Sequence, residues 1–339
     1  MRKAAVLKKY KTAFEIENIA IPEIGEAEVL VRVRASGLCA SDLHIQDGQI
    51  PTVKLPFIPG HELAGEVEKV GLEVTGFSQG DHVIAAIDVT CGKCRFCISG
   101  RGNLCAFLKR IGFERDGAHS EYAVVPAPNL VKIQSHVAWE QAAIIPDAVS
   151  CMLHCIKVQG KVGVGDRIII LGIGGLGMQG VQIAKLAGAE VFCTSRRGEK
   201  VKIAEKMGAD VGINTSQKNI CEETDELTSG EGFDVVFDNI GTKESIHDGL
   251  KICRRGGKII IVGYTEQNVP IDLYTLMIQE KEIIGARGST KRDLIEAVRL
   301  VEQGKIKPYV SDTFPLDEIN VGLKKLREGK IIGRGVLMI

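Results

Sequence analysis

A glycine-rich turn near the middle of the 339-residue chain limits its fold more than any other feature. The turn, Gly172-Ile-Gly-Gly-Leu-Gly177, follows the apolar run Arg167–Leu171, a predicted strand, and precedes Gln179–Ala187, a predicted helix. Its first, third and sixth residues are glycines. In this spacing one glycine allows a tight turn, one lets the backbone approach a pyrophosphate, and one lets helix and strand pack closely. A helix N-terminus also favours phosphate. The pattern predicts a dinucleotide site, with a purely structural turn as the alternative.

The segments after this turn alternate between strand and helix. Glu190–Thr194, Phe233–Phe237 and Lys258–Val262 are predicted strands, and Lys200–Met207 is a predicted helix. Strands that alternate with helices form a parallel, doubly wound sheet. We therefore predict an α/β fold with a cofactor domain at residues 149–285.

The flanking segments have a different pattern. Residues 1–148 contain short runs in which apolar and polar residues alternate, such as Glu28–Arg34, with frequent Gly and Pro between them. This predicts irregular antiparallel β structure. Residues 286–339 contain a predicted helix, Arg292–Glu302, and a predicted strand, Gly335–Ile339. The cofactor domain is therefore predicted to be inserted into a β-rich domain formed by the two flanking segments.

The second predicted strand of the cofactor domain ends without an acidic residue. An NAD site usually carries Asp or Glu here, which binds the ribose 2′-OH. This chain has Ser195, Arg196 and Arg197 instead, and the first acidic residue is Glu199. Because arginine suits bidentate contact with a phosphate, we predict a preference for NADP(H). Two solvated surface arginines are the alternative.

Four of the ten cysteines crowd into one short segment. They are Cys91, Cys94, Cys97 and Cys105. Four thiolates can close a tetrahedron around zinc without an open position, which predicts a structural zinc site. An iron–sulfur cluster is the alternative. The other cysteines are scattered, so no disulfide framework is predicted and a reducing cytoplasm is expected.

Charge and hydropathy exclude several classes of partner. The 43 basic and 43 acidic residues give a formal net charge of zero, which favours neither nucleic acid nor an anionic membrane. The opening MRKAAVLKKY has too short an apolar part for a signal peptide. The most apolar runs are far shorter than a membrane span.

Three further segments carry residues that could bind a metal. Cys39 lies in Gly37-Leu-Cys-Ala-Ser-Asp-Leu-His44, His61 lies in Pro59-Gly-His-Glu62, and Asp147 lies in Ile145-Pro-Asp. Each residue also has an interpretation without a metal: Cys39 as a buried thiol, His61 as a histidine in a turn, and Asp147 as a helix N-cap. Spacing alone does not join them.

Together these motifs resemble those of the zinc-dependent medium-chain alcohol dehydrogenases. The C-x-S-D-x-H motif, the G-H-E motif followed by Gly65, the four-cysteine segment and the glycine turn occur here in that family's order. The resemblance extends from Met1 to Leu337. It implies a GroES-like catalytic domain wrapped around a Rossmann domain, with the active site in the cleft between them.

The resemblance also assigns a second metal site. It implies that Cys39 and His61 bind a catalytic zinc, with Asp147 as the third ligand at a position that usually carries Cys. Water or substrate would take the fourth position. Glu62 would be the nearby acidic residue that can approach the metal or orient its ligands.

Ser41 and His44 match the family's proton relay, in which the proton of the zinc-activated alcohol passes through Ser41 and the cofactor ribose to His44. The residues that we assign to the cofactor are Gly172, Gly174, Gly175, Leu176, Gly177, Ser195, Arg196, Arg197, Val262 and Arg334.

The resemblance implies a zinc-dependent enzyme that interconverts an alcohol and an aldehyde or ketone with NADP(H). It also implies two zinc ions per chain and a homodimer or homotetramer. One alternative is a medium-chain reductase of an activated C=C bond, against which the presence of Ser41 and His44 argues. The other is a non-catalytic dinucleotide-binding protein, a kind of relative that tends to lose zinc ligands, whereas this chain keeps them.

Several other Cys and His residues receive no role in chemistry. Cys151, His154 and Cys155 lie close enough on one predicted helix to resemble a metal site, but we interpret them as packing residues. The remaining scattered thiols are expected to be buried apolar residues: Cys193, Cys221 and Cys253. Four histidines show no ligand-like spacing: His82, His119, His136 and His247.

Overall fold

The structure, a computed structural model, describes residues 1–265 and 268–339. It contains two compact units, of which the first joins Met1–Ser150 to Ser289–Ile339 and the second is Cys151–Gly288. The predicted boundaries, after residues 148 and 285, lie two and three residues before those of the structure. The predicted mixed α/β fold class is confirmed.

The described residues form strands that we number in chain order. They are β1 Arg2–Val6, β2 Glu15–Ile19, β3 Glu28–Leu38, β4 Leu63–Val70, β5 His82–Ala85, β6 Asp88–Val89, β7 Lys109–Arg110, β8 Tyr122–Pro126, β9 Leu130–Lys132, β10 Arg167–Leu171, β11 Glu190–Ser195, β12 Val211–Asn214, β13 Phe233–Asp238, β14 Cys253–Ile261, β15 Glu282–Gly285, β16 Val310–Pro315 and β17 Arg334–Met338.

The α-helices are numbered in the same way. They are α1 Ala40–Gln46, α2 Arg95–Ile98, α3 Trp139–Ala143, α4 Ser150–Leu153, α5 Gly175–Leu186, α6 Gly198–Lys206, α7 Ile220–Thr228, α8 Lys243–Ile252, α9 Leu273–Ile278, α10 Lys291–Glu302 and α11 Ile319–Arg327. The helical structure of the described residues also includes two π-helical segments, Ile145–Val149 and His154–Gly160, and three short 3-10 turns, Gly102–Leu104, Ala127–Asn129 and Leu316–Glu318.

The second unit is built on a six-stranded parallel sheet in the order β12-β11-β10-β13-β14-β15. The four apolar residues of β10 are all buried, because a central parallel strand is covered on both faces. The chain continues from β10 to β11 on one side and later to β13 on the other. The strand order therefore reverses at the carboxyl end of β10, where such sheets bind their ligands.

The first unit is built on a seven-stranded sheet in the order β16-β17-β3-β4-β5-β9, with β8 also paired to β3. In this sheet β17 and β4 pair antiparallel with the same end of β3: Gly335 lies opposite Leu38, and Leu63 opposite Ser36. This register places Glu62 opposite Gly37, whose N–H donates to the Glu62 carbonyl at 3.0 Å, and Arg334 opposite Cys39, the residue that follows β3. Distant parts of the sequence therefore meet at one end of the sheet.

Among the described residues, no helix combines the length and the apolar character that crossing a membrane would require.

Candidate metal and cofactor sites

Cys39, His61 and Asp147 come together in the first unit. One possible ligand atom from each lies within 4.8 Å of the others. Asp147 Oδ2 is 3.7 Å from Cys39 Sγ and 3.7 Å from His61 Nε2. Cys39 and His61 are buried, and Asp147 is half-buried. The structure thus joins three residues that sequence spacing left apart.

Local structure explains how each side chain reaches the cluster. Cys39 follows β3 and precedes α1, and its N–H donates to Asp42 Oδ2 at 2.8 Å. His61 lies two residues before β4, after a turn at Gly60 with a φ of +101°. Asp147 lies within the π-helical segment Ile145–Val149, not at a helix N-cap. Such segments are rare and occur often at functional sites.

The geometry of this cluster fits zinc. Zinc bonds of about 2.3 Å to sulfur and about 2.1 Å to oxygen or nitrogen place tetrahedral ligand atoms about 3.4–3.6 Å apart. The two distances of 3.7 Å are close to this range. One thiol, one imidazole and one carboxylate also form a ligand set that leaves a fourth position open, as catalytic zinc requires.

Arg334 binds both carboxylates beside the cluster. Its guanidinium group donates to Glu62 Oε1 at 2.6 Å, to Glu62 Oε2 at 2.9 Å and to Asp147 Oδ2 at 2.6 Å. The Ala148 N–H also donates to Glu62 Oε1, at 3.2 Å. Glu62 is therefore held by hydrogen bonds from two directions.

The same network sets the ionisation of the two carboxylates. Burial raises the pKa of Glu62 to about 7, although Arg334 favours its charged form. Burial alone would also raise the pKa of Asp147, but His61 and Arg334 outweigh this and hold the pKa well below its usual value. Asp147 is therefore ionised at neutral pH, as a metal ligand must be.

Ser41 and His44 lie on α1, directly after Cys39. Ser41 Oγ is 3.7 Å from Cys39 Sγ. His44 is three residues further along, so the two side chains share one face of the helix. Both residues are half-buried. This spacing is compatible with a proton path that leads away from the metal cluster.

The four-cysteine segment forms a second cluster in the first unit. All four sulfur atoms lie within 4.8 Å of one another. The Sγ of Cys94 is 3.5 Å from that of Cys97, and the Sγ of Cys91 is 4.0 Å from the same atom. Tetrahedral zinc with bonds of about 2.3 Å to sulfur predicts about 3.8 Å between sulfurs. The four thiols therefore fit a closed zinc site.

Backbone N–H groups stabilise negative charge on these sulfurs. The N–H groups of Cys91 and Phe107 donate to Cys105 Sγ at 3.3 and 3.4 Å. N–H groups of Cys97 and Ala106 lower the pKa of Cys94 to about 6. Burial and the neighbouring thiols Cys94 and Cys105 instead raise the pKa of Cys97 to about 11. The backbone N–H groups therefore favour the thiolate form, which binds metal, at Cys94.

The glycine turn of the second unit has a backbone geometry that fits the three roles predicted from its spacing, and its binding of a dinucleotide stays a prediction. Gly172 has a φ of +86°, which suits a tight turn. A Cβ on Gly174 would meet nothing within 4 Å, so its backbone is open to a ligand. A Cβ on Gly177 would lie 2.4 Å from the Gly172 carbonyl oxygen, so helix and strand need glycine here. Gly175 and Leu176 form the first turn of α5, which begins four residues before the predicted helix.

The end of β11 carries the two arginines predicted to bind a 2′-phosphate. The side chain of Arg196 is exposed. Arg197 forms an ion pair with Glu199, and its N–H donates to Ser195 Oγ at 3.1 Å. Arg196 thus has the more accessible guanidinium group.

Val262 and Arg334, the other predicted cofactor residues, lie in different units. Val262 follows β14, and its N–H donates to the Asp238 carbonyl at 2.9 Å. Arg334 lies in the first unit, where its described partners are Glu62 and Asp147. The cofactor role of both residues stays a prediction.

Sequence reasoning missed Asn239, which follows β13 beside the glycine turn. Its amide nitrogen is 3.5 Å from the Gly172 carbonyl, and its Oδ1 is a buried acceptor without a hydrogen bond among the described residues. A lone Asn after a predicted strand gives no signal in the sequence.

The cysteines and histidine that we interpreted as packing residues remain outside both clusters. Cys151, His154 and Cys155 are buried in the second unit. Among the described residues, only the two clusters above bring three or more possible ligand atoms of His, Cys, Asp or Glu within 4.8 Å of one another.

Two parts of the chain match known families. Residues 25–135 match the Alcohol dehydrogenase GroES-like domain, and residues 175–303 match the Zinc-binding dehydrogenase family. Together the matches cover more than half of the chain.

Named relatives align with nearly the whole chain. An alcohol dehydrogenase from Geobacillus stearothermophilus is 35% identical over 339 residues, 99% of each chain. An acryloyl-coenzyme A reductase from Metallosphaera sedula is 32% identical over 340 residues, 99% of each chain. An NAD-dependent alcohol dehydrogenase from Sulfurisphaera tokodaii is 31% identical over 335 residues, 96% of each chain.

Solved structures agree in fold. An alcohol dehydrogenase from Aeropyrum pernix superposes with a TM-score of 0.93 at 31% identity and covers 99% of this chain and 100% of that one. A zinc-binding dehydrogenase from Sinorhizobium meliloti bound to NADP gives a TM-score of 0.90 at 28% identity and covers 100% of this chain and 99% of that one.

Proposed function

Because the chain belongs to the zinc-dependent medium-chain alcohol dehydrogenase family, we propose that it interconverts an alcohol and an aldehyde or ketone by hydride transfer with NADP(H). The observation that carries this proposal is the cluster of Cys39, His61 and Asp147 with Ser41 beside it. When bound, zinc would polarise the substrate oxygen, and the nicotinamide would exchange a hydride with the substrate carbon.

The protein side chains would hold the metal and move the proton. Cys39, His61 and Asp147 would be the three ligands. During oxidation Ser41 would accept the substrate hydroxyl proton at Oγ while its own hydroxyl proton leaves toward His44, and both transfers would reverse during reduction. His44, on the same face of α1, would exchange this proton with solvent. Arg334 would hold Asp147 toward the cluster and Glu62 beside it.

A substrate panel tests this proposal. Zinc-replete protein is assayed with alcohols, ketones and activated C=C substrates, each with both nicotinamide cofactors. We expect alcohol and ketone turnover, and we expect Ser41→Ala to lower it by about 100-fold or more, because positioned acid–base groups contribute about 10²–10⁴. Ser41→Thr, which keeps the hydroxyl group, is the matched control and should retain most activity.

One result would favour a second function. The Metallosphaera sedula relative is an acryloyl-coenzyme A reductase of similar identity over the same length. Turnover of activated C=C substrates alone, unchanged by Ser41→Ala, would replace the alcohol reaction with that chemistry.

The preference for NADP(H) is supported by the end of β11. Arg196 and Ser195 can contact a 2′-phosphate, and no acidic residue of β11 lies there to bind a ribose 2′-OH. One charge-assisted contact contributes about 1.5–3 kcal/mol, so we expect Arg196→Ala to weaken NADPH binding about 10- to 100-fold and leave NADH binding nearly unchanged. Dissociation constants from fluorescence titration check this, and added salt should reduce the preference.

Arg197→Ala is the matched control, because Arg197 already pairs with Glu199 and should contribute less to the 2′-phosphate. Equal or stronger binding of NADH by the wild-type protein would show that both arginines are surface residues without a cofactor role.

Assembly into a homo-oligomer is supported by an apolar surface on the second unit. Four residues of α9 are exposed: Leu273, Tyr274, Met277 and Ile278. The neighbouring β15 is an edge strand of the sheet, and an edge strand presents unpaired backbone groups to a partner. We propose a second copy of this chain as that partner.

The cytoplasmic location of the protein also remains a prediction.

A further inference from the structure

A chain of buried polar side chains lies beside Cys39. Ser36 Oγ is 3.0 Å from His119 Nδ1, and His119 Nε2 is 3.3 Å from Asp42 Oδ1. The other carboxylate oxygen, Asp42 Oδ2, accepts the hydrogen bond from the Cys39 N–H. Ser36, Asp42 and His119 are all 0% exposed. Bulk water therefore cannot replace any of these contacts.

A single tautomer of His119 satisfies this arrangement. The Ser36 hydroxyl would donate to Nδ1, and the Nε2–H would donate to Asp42 Oδ1. Neither Asp42 Oδ1 nor His119 Nε2 forms a hydrogen bond within the described part of the chain, and the 3.3 Å approach of the two atoms is an ion-pair contact. A buried carboxylate oxygen without a donor is costly. His119 Nε2 is therefore the described group that is placed to donate to this oxygen of Asp42.

The backbone of the same segment packs against the turn before His61. The His119 N–H donates to the Pro59 carbonyl at 3.0 Å, and the Ala118 N–H donates to the Gly60 carbonyl at 2.8 Å. A Cβ on Gly60 would lie 2.6 Å from His119 N and 2.7 Å from His119 Nδ1. The glycine lets the two segments approach, so His119 touches the segments that carry two of the three ligands.

We infer that His119 is a positioning residue that fixes Cys39 through Asp42 and thereby sets the affinity of the site for its metal. This inference rests on the proposed function. His119 is not a member of the cluster of Cys39, His61 and Asp147. His119 fixes the orientation of the Asp42 carboxylate at Oδ1. The other oxygen, Oδ2, can then accept the hydrogen bond from the Cys39 N–H.

Two substitutions at position 119 separate this role from general packing. His119→Gln places an amide nitrogen near the position of Nε2 and can still donate to Asp42. His119→Asn places its amide near the position of Nδ1 and cannot reach Asp42. We expect the Gln variant to keep a zinc affinity close to wild type. We expect the Asn variant to lose about 10- to 100-fold, as for other partners that orient metal ligands.

Zinc affinity is measured on the apoprotein by competition with a chelator, and far-UV circular dichroism checks that each variant is folded. Equal affinity of wild type and the Asn variant, or equal losses in both variants, would overturn the inference. If the Asn variant does not fold, Ser36→Ala replaces it. Loss of the donor to Nδ1 should weaken zinc binding, and an unchanged affinity would overturn the inference.

The proposed function fails in a different way. It fails if the wild-type protein binds no zinc whose affinity depends on Asp147. The variants at position 119 test the positioning role only when the wild-type protein binds this zinc. Failure of the proposed function can therefore be distinguished from failure of the positioning role.

Discussion

Asp147→Ala is expected to abolish turnover and to remove one of two zinc ions per chain while the fold remains intact. The substitution removes the only carboxylate of the three-residue cluster, and orienting partners alone contribute about 10–100-fold to metal binding or activity. We therefore expect a loss of more than about 100-fold in kcat/KM. Elemental analysis and steady-state kinetics on the same preparation measure both effects.

Cys151→Ala is the matched control for this experiment. Cys151 is a buried thiol four residues further along the chain and lies outside the described metal clusters. We expect its removal to leave zinc content and kcat/KM nearly unchanged. Loss of zinc in the Cys151 variant and retention of zinc in the Asp147 variant would show that the third ligand is Cys151, four residues further along the chain, and not Asp147.

Cys94→Ser is expected to lower the zinc content from about two to about one per chain and to disorder the segment around residues 91–105. This segment lacks an apolar core of its own, since Ile98 is 77% exposed and Phe107 is 69% exposed. Metal binding must supply its stability, and structural zinc provides about 10–16 kcal/mol in small zinc-binding domains.

Limited trypsin digestion detects this loss of order, because Lys93, Arg95 and Arg101 are exposed cleavage sites within the segment. Faster cleavage there is expected in the Cys94 variant, and Cys221→Ser, outside the segment, should behave as wild type. A zinc content near one in the wild-type protein that does not change with Cys94→Ser would rule out the structural zinc site. Iron with visible charge-transfer absorption would indicate a cluster instead.

Local sequence signals predicted the glycine turn and the four-cysteine cluster well. Each of these sites is formed by residues that are close in the chain, so their spacing alone describes most of their geometry. The alternation of strands and helices likewise predicted the parallel sheet. The start of α5 was placed too late, because glycines at its first turn carry no apolar periodicity.

Spacing along the sequence could not predict the cluster of Cys39, His61 and Asp147. Glu62 and Arg334 are 272 residues apart, and they meet because β4 and β17 both pair with β3. Only family resemblance joined Cys39, His61 and Asp147. His119 gave no signal at all, because its partner Ser36 is 83 residues away and its surroundings contain no ligand-like spacing.

The pairing of β17 with β3 has a consequence for the order in which the two metal sites form during synthesis. The cysteines of the structural cluster leave the ribosome together, so that cluster can bind metal early. Arg334 is made 187 residues after Asp147. Until then Glu62 and Asp147 lack the guanidinium group that binds both of them, and burying the two carboxylates together is less favourable. With the proposed function, we therefore expect the four-cysteine cluster to bind its metal first and the cluster of Cys39, His61 and Asp147 to form only when the last strand is in place.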